Sequence, residues 1–147
     1  MSHIPDGAGE VVLHASAVAL GNRGLLITGA SGSGKSTLAL RLIGLGATLV
    51  ADDRVIVTPL PEGGLRLSCP APIRGLIEAR GVGLLRVEAT KALAIAVVDL
   101  DRTATERLPE PETAEVAGRP LPLIRRVEGP AFPDILLLYL KGGKAAP

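Results

Sequence analysis

The sequence predicts an α/β domain in which a mixed central sheet carries a helix directly after a glycine-rich loop. Three observations lead there: a β-branched and apolar opening, "VVLHASAVAL" followed by "GNRG" and "LLIT"; a switch to helical spacing in "KSTLALRLIGLG"; and short apolar runs afterwards, "ATLVA" and "ALAIAVVDLD". Strand, loop, helix and strand in that order make a βαβ unit.

Each element has its own justification. The opening reads as two strands joined by a tight turn at "GNRG". Leu38, Leu42 and Leu45 then recur at helical spacing until Gly44 and Gly46 break the pattern. "ATLVA" is wholly apolar, as a strand buried on both faces would be, and it is expected beside the strand before the helix. The stretch from Pro59 to Pro72 is rich in Pro and Gly around a short strand, "LRLS", and reads as an excursion from the core. "IRGLIEARGVGLL" has short-helix or loop character. "ALAIAVVDLD" is a strand, "ERLPEPETAEVAGRP" a polar surface crossover, and "DILLLYL" a final buried strand before a flexible tail, 141–147.

Composition bounds what such a domain does. With 147 residues, 47% of them hydrophobic, the chain fits a single domain, with an ordered core over about 11–140 and no N-terminal regulatory domain expected. Sixteen basic residues against 15 acidic ones leave a net charge of +1 without a basic run, so no nucleic-acid partner is expected. Phe132 and Tyr139 are the only aromatics, which also argues against base stacking. The lone cysteine, Cys69, excludes an internal disulfide and fits a reducing compartment. "MSHIPDGAGE" lacks the features of a signal peptide, and no apolar run approaches the roughly 18 residues of a spanning helix. The expectation is a cytoplasmic protein with no membrane contact.

The chemistry is concentrated in Gly29-Ala30-Ser31-Gly32-Ser33-Gly34-Lys35-Ser36, with Thr37 following; it fits G-x-x-x-x-G-K-[ST] at every fixed position. Glycines let successive N–H groups curl around a phosphate, the lysine reaches the β and γ oxygens, and the serine hydroxyl is placed for Mg²⁺. The following helix adds its positive end. A strand before the loop and a helix after it supply the context that the motif requires. The loop needs an acidic partner, and two are available: Asp52 and Asp53 at the end of "LVADD", and Asp99 and Asp101 at the end of "IAVVDLD". Two carboxylates at one strand end can divide the work, one as general base and one for the metal.

The ordered series "HASAVAL", "GLLITGASGSGKSTLALRLI", "GATLVADDRV" and "IEARGVGLL" closely resembles the catalytic domain of HPr kinase/phosphorylase, which phosphorylates a serine of the phosphocarrier HPr. The match is specific from about Val11 to Gly83 and weaker to about Leu140. The resemblance implies a P-loop kinase fold of the phosphoenolpyruvate carboxykinase-like type, with ATP and Mg²⁺ as cofactors and an HPr-like carrier of a phosphotransferase system as substrate. It places His14 and Lys35 in the active site and makes Asp52 the acid/base that takes the serine proton. Asp53 would steady the site. Ser36 and Glu78 would be magnesium ligands, Arg80 would belong to the catalytic loop, and Arg107, in "ERLP", would be a further catalytic arginine.

The family resemblance also implies phosphorolysis of the phosphorylated carrier and a homo-oligomer, a hexamer in the family. Three departures stand out. Ala30 replaces the usual acidic residue, the C-terminus is short, and "PLIRRVEGP" only loosely represents the basic loop tied to the reverse reaction. The closest likeness is to short proteobacterial forms. Two other classes compete: a small-molecule P-loop kinase, which should show an arginine-rich lid, and a non-catalytic nucleotide-dependent switch using Asp99 or Asp101.

Overall fold

The computed structural model describes residues 9–143 and Ala145. Eleven strands and two helices follow in order: β1 Val11–Leu13, β2 Ser16–Leu20, β3 Arg23–Thr28, α1 Lys35–Gly44, β4 Thr48–Ala51, β5 Val55–Pro59, β6 Leu65–Ser68, β7 Leu76–Ala79, β8 Gly83–Arg86, β9 Ala92–Thr103, β10 Glu112–Val116, β11 Arg119–Arg126 and α2 Phe132–Gly142. The expected mixed sheet with a helix after the glycine-rich loop is present. It runs β1-β5-β6-β9-β3-β2-β4, and β11 joins β9 while carrying β10.

The 12-residue β9 organises the sheet. One of its edges takes β3 in parallel along most of its length. The other is shared: Ala92 and Leu93 pair with β6, whereas Val97–Asp99 pair in parallel with β11. Strands β2 and β3 form the expected hairpin, but β2 begins only at Ser16, because His14 and Ala15 leave the strand between β1 and β2. Strand β4 is not the neighbour of β3. Strand β2 lies between them, antiparallel to both, so β3 and β4 still run the same way and their carboxyl ends meet on one side.

Both helices cover one face of the sheet. Leu38 and Leu42 of α1 and Phe132, Leu136 and Leu140 of α2 pack with Val18, Leu25, Ile27, Leu49 and Val98. The other face is closed without a helix: Val50 of β4 and Leu26 of β3 meet Leu65 and Leu67 of β6 and Leu121 of β11. Strand β4 touches β6 although three strands separate them in the sheet, so the sheet curls over its own core.

Several expectations need correcting. "DILLLYL" is not a strand but the body of α2: Phe132, Leu136 and Leu140 are buried four residues apart, while Ile135 and Leu138 face out. Its last carbonyls are taken by Arg23, whose Nε donates to Leu140 O at 2.6 Å. The proposed tail therefore begins in this helix, and residues 144, 146 and 147 lie outside the described ones. The Pro59–Pro72 segment is no excursion: its "LRLS" is the expected short strand, β6, which pairs within the sheet and buries Leu65 and Leu67. "IRGLIEARGVGLL" holds the β7–β8 hairpin, and the polar crossover contains β10.

Candidate active site

The loop between β3 and α1 is shaped by positions that exclude a side chain. A Cβ at Gly29, φ +152°, would lie 2.5 Å from Ser33 Oγ and 3.1 Å from Leu100 Cβ, so only glycine fits without a shift. Gly34, φ +101°, precedes the first residue of α1 and turns the chain into the helix. Lys35 is 8% exposed, and its ammonium donates to Gly29 O at 2.7 Å and Ala30 O at 3.1 Å, which folds it back across the loop.

Two strand ends hold this loop from behind. Because Thr28 pairs with Asp99, Asp101 comes alongside Ala30, whose N–H donates to both carboxylate oxygens at 3.0 Å. Arg126, at the end of β11, donates to Leu100 O at 3.1 Å and to Ser33 O at 2.5 Å. Asp99 is itself occupied: it accepts from the Asp101 N–H at 2.9 Å and pairs with Arg102 at 3.3 Å.

The adjacent aspartates have different environments. Ala17 pairs with Ala51, so the antiparallel register sets Ser16 opposite Asp52. Asp52 is 6% exposed. Its Oδ1 accepts from the hydroxyls of Ser16 and Ser36, each at 2.7 Å, and its Oδ2 accepts from the Glu78 N–H at 3.0 Å. A carboxylate oxygen has two lone pairs, so Oδ1 is saturated. Asp53 points the other way. Its φ of +76° puts a non-glycine residue in the left-handed region, and its Oδ1 lies 2.8 Å from His14 Nε2, with both side chains more than half exposed. A left-handed aspartate carries local strain, which functional sites often hold.

A polar cleft of about 190 Å³ gathers most of the expected site residues: His14, Ser31, Gly32, Gly34, Lys35, Ser36, Thr37, Asp53, Glu78 and Arg80 line it. Asp52 stands behind the cleft wall, joined to it through Ser16 and Ser36. Gly29, Ala30 and Ser33 complete the loop without lining this cleft. Arg107 is not brought there. It is exposed on the 104–111 connection and lines a separate, apolar cavity of about 500 Å³ between that connection, β11 and α2. Ser16 and Arg126 belong to the constellation without having been singled out in the sequence, and Asp101, a candidate acidic partner of the loop there, joins it by holding the Ala30 N–H. Ser16 was legible as a polar residue in an apolar strand, whereas nothing local marks Arg126.

The donor set suits a triphosphate with Mg²⁺. The glycine loop, the Lys35 ammonium and the N-terminus of α1 supply positive ends, and the Ser36 hydroxyl and the exposed Glu78 carboxylate supply hard oxygen ligands. Among the described residues no group of three or more His, Cys, Asp or Glu side chains forms a metal cage. Mg²⁺ carried on phosphates needs only one or two protein ligands. Beneath the site, burial pushes the Cys69 thiol up, with Arg74 pulling it down and Asp52 raising it further, so this cysteine is no activated nucleophile.

The chain is similar to known proteins. Residues 7–96 match the family described as the HPr serine kinase C-terminal domain. The chain is 40% identical over 112 residues to the HPr kinase/phosphorylase of Verminephrobacter eiseniae, covering 67% of this chain and 35% of that protein. It is 38% identical over 126 residues to that of Aromatoleum aromaticum, covering 76% and 40%. It thus spans little more than a third of the length of these curated relatives. The solved HPr(Ser) kinase/phosphatase of Coxiella burnetii has the same fold, with a TM-score of 0.72, 23% identity, and 89% of this chain and 88% of that one covered.

Proposed function

We propose, from the premise that this chain belongs to the HPr serine kinase C-terminal domain family, that it transfers the γ-phosphoryl group of ATP to a serine hydroxyl of an HPr-like carrier protein. The observation that carries this reading is the pairing of His14 with Asp53 at 2.8 Å inside the cleft that the glycine-rich loop lines. A hydroxyl entering that cleft meets an exposed carboxylate, oriented by an imidazole, opposite the phosphate-binding lysine.

In this reading the two aspartates exchange the roles suggested by the sequence. Asp53, accessible and next to His14, takes the proton of the serine hydroxyl as its oxygen bonds to phosphorus. Asp52, buried and saturated at Oδ1, holds the Ser36 hydroxyl in place as a magnesium ligand. MgATP supplies the phosphoryl group and neutralises much of its charge. Lys35 and the loop N–H groups bind the phosphates, Glu78 completes the metal's protein ligands, and Arg80 offsets charge on the moving group. In phosphorolysis the phosphoryl group passes from the phosphoserine to an inorganic phosphate held in the loop in place of ADP, giving pyrophosphate, and a protonated Asp53 returns the proton to the serine oxygen as the ester bond breaks. Arg107 has no place in this step. The switch alternative is disfavoured, because both oxygens of Asp101 are held by Ala30 and neither Asp99 nor Asp101 lines the cleft.

The test is incubation with γ-labelled ATP, Mg²⁺ and an HPr-like carrier. Phosphoserine on the carrier is the expected product. ATP turnover without label on the carrier, or binding without turnover, would overturn the assignment.

A further inference from the structure

The cleft beside the glycine-rich loop has no apolar wall. Its lining is glycine and polar or charged side chains, and its volume is about 190 Å³. Small-molecule sites usually run ~300–1,000 Å³ with predominantly apolar linings. Such a cleft suits phosphates, an acceptor hydroxyl and a metal ion; it offers nothing to the faces of a heterocyclic base.

A second cleft, of about 290 Å³, opens on the other flank of the same loop, under the connection from β11 to α2. It shares Gly34 and Thr37 with the first; Leu38, Leu100, Val127, Pro130, Phe132 and Pro133 give it an apolar wall, and Arg41, Arg126 and Glu128 add charged groups to its lining. We propose that this second cleft seats the nucleoside of the nucleotide whose phosphates lie in the glycine-rich loop. The proposal rests on the P-loop reading above and adds where the rest of the ligand goes.

Continuity carries the argument. Gly34 and Thr37 border both clefts, so a chain of phosphates resting on the start of α1 leads from the polar cleft to the one with an apolar wall. A Cβ placed at Gly34 would have no atom within 4 Å, so the passage beside this residue is open. The larger apolar cavity near Arg107 shares no residue with the loop and meets the second cleft only at Val127. The apolar wall of the seat is largely aliphatic, with Phe132 buried rather than presented for stacking, and Arg41, Arg126 and Glu128 complete the lining. Burial against the apolar wall favours a base over leaving it in water.

Calorimetric binding of ATP, ADP and inorganic tripolyphosphate tests this without turnover. Val127→Asn, or Pro130→Gly should the first disturb the fold, removes apolar wall without adding charge. Either should weaken ATP and ADP about five- to tenfold and leave tripolyphosphate unchanged. Unchanged ATP binding in both variants, or equal weakening of ATP and tripolyphosphate, overturns the proposal. A wild-type protein that binds neither ligand would instead overturn the P-loop reading itself. Photolysed 8-azido-ATP should label the 127–133 peptide; label confined to 78–86 or 104–112 would place the base elsewhere.

Discussion

The Ser36 hydroxyl donates to Asp52 Oδ1 at 2.7 Å, and that same oxygen takes the Ser16 hydroxyl at the same distance. The first residues of α1, the start of β2 and the end of β4 are thus tied at one buried atom. Asp52→Ala strands these hydroxyls and the Glu78 N–H, each loss costing about 1–3 kcal/mol. At roughly 2–4 °C per kcal/mol for a chain of this size, the three losses together should lower the melting temperature by about 6 °C or more. Asp52→Asn should retain most of the stability while raising the Mg²⁺ concentration needed for ATP binding. A magnesium titration that does not move would show that the bond is structural only.

Asp53 separates chemistry from stability. Asp53→Asn should lower kcat by about 10²–10⁴ with nucleotide affinity unchanged. Asp53→Gly should abolish transfer equally and yet raise the melting temperature, because glycine adopts φ +76° without strain. His14→Ala should lower kcat less than either. Single-turnover transfer and thermal melts on the same preparations decide it, and a destabilised glycine variant would contradict the strain argument.

The bond from the Ala30 N–H to both oxygens of Asp101 makes Asp101 a positioning residue for the loop. Asp101→Ala should raise KM for ATP several-fold while leaving KM for the acceptor and kcat near wild type. A fall in kcat at saturating ATP would point to a direct part in the reaction.

The β7–β8 hairpin carries Glu78 into the cleft and exposes Val82 and Leu84, 78% and 68% accessible, beyond its mouth. If the cleft takes a protein substrate as proposed above, these exposed apolar side chains are its candidate contacts. Val82→Asp and Leu84→Asp should raise KM for the carrier and leave ATP binding by calorimetry unaffected. An unchanged KM would place the docking surface elsewhere.

Arg125 donates to Glu112 through Nε and Nη2, at 2.7 and 2.9 Å, and this holds the Glu112 carboxyl below its ordinary value of 4.5. A depressed carboxyl stabilises the fold above its unfolded-state value, and that contribution disappears as pH falls through the lower folded-state value. The pair remains partly open to solvent, so the effect should be small and salt-sensitive. Glu112→Gln should flatten the fall in melting temperature below about pH 4.5, the ordinary carboxyl value. An unchanged acid limb would show that the pair contributes nothing.

The sequence by itself determined what lies close along the chain. The glycine-rich loop, the helix after it and the aspartate pair at the next strand end are contiguous, and periodicity with turn chemistry suffices to read them. Local reading failed where an apolar run has no unique period. "DILLLYL" fits a buried strand as well as a helix, and only packing of Phe132, Leu136 and Leu140 against the sheet decided for α2. Tertiary structure alone decided which aspartate faces the cleft. Strand β2, inserted between β3 and β4, brings Ser16 opposite Asp52 and His14 to Asp53. Residues 36 or more positions apart in the chain form these bonds, so pairing register, not local preference, sets them. The same holds for the grip of Asp101 and Arg126 on the loop, which depends on β3 and β11 flanking β9.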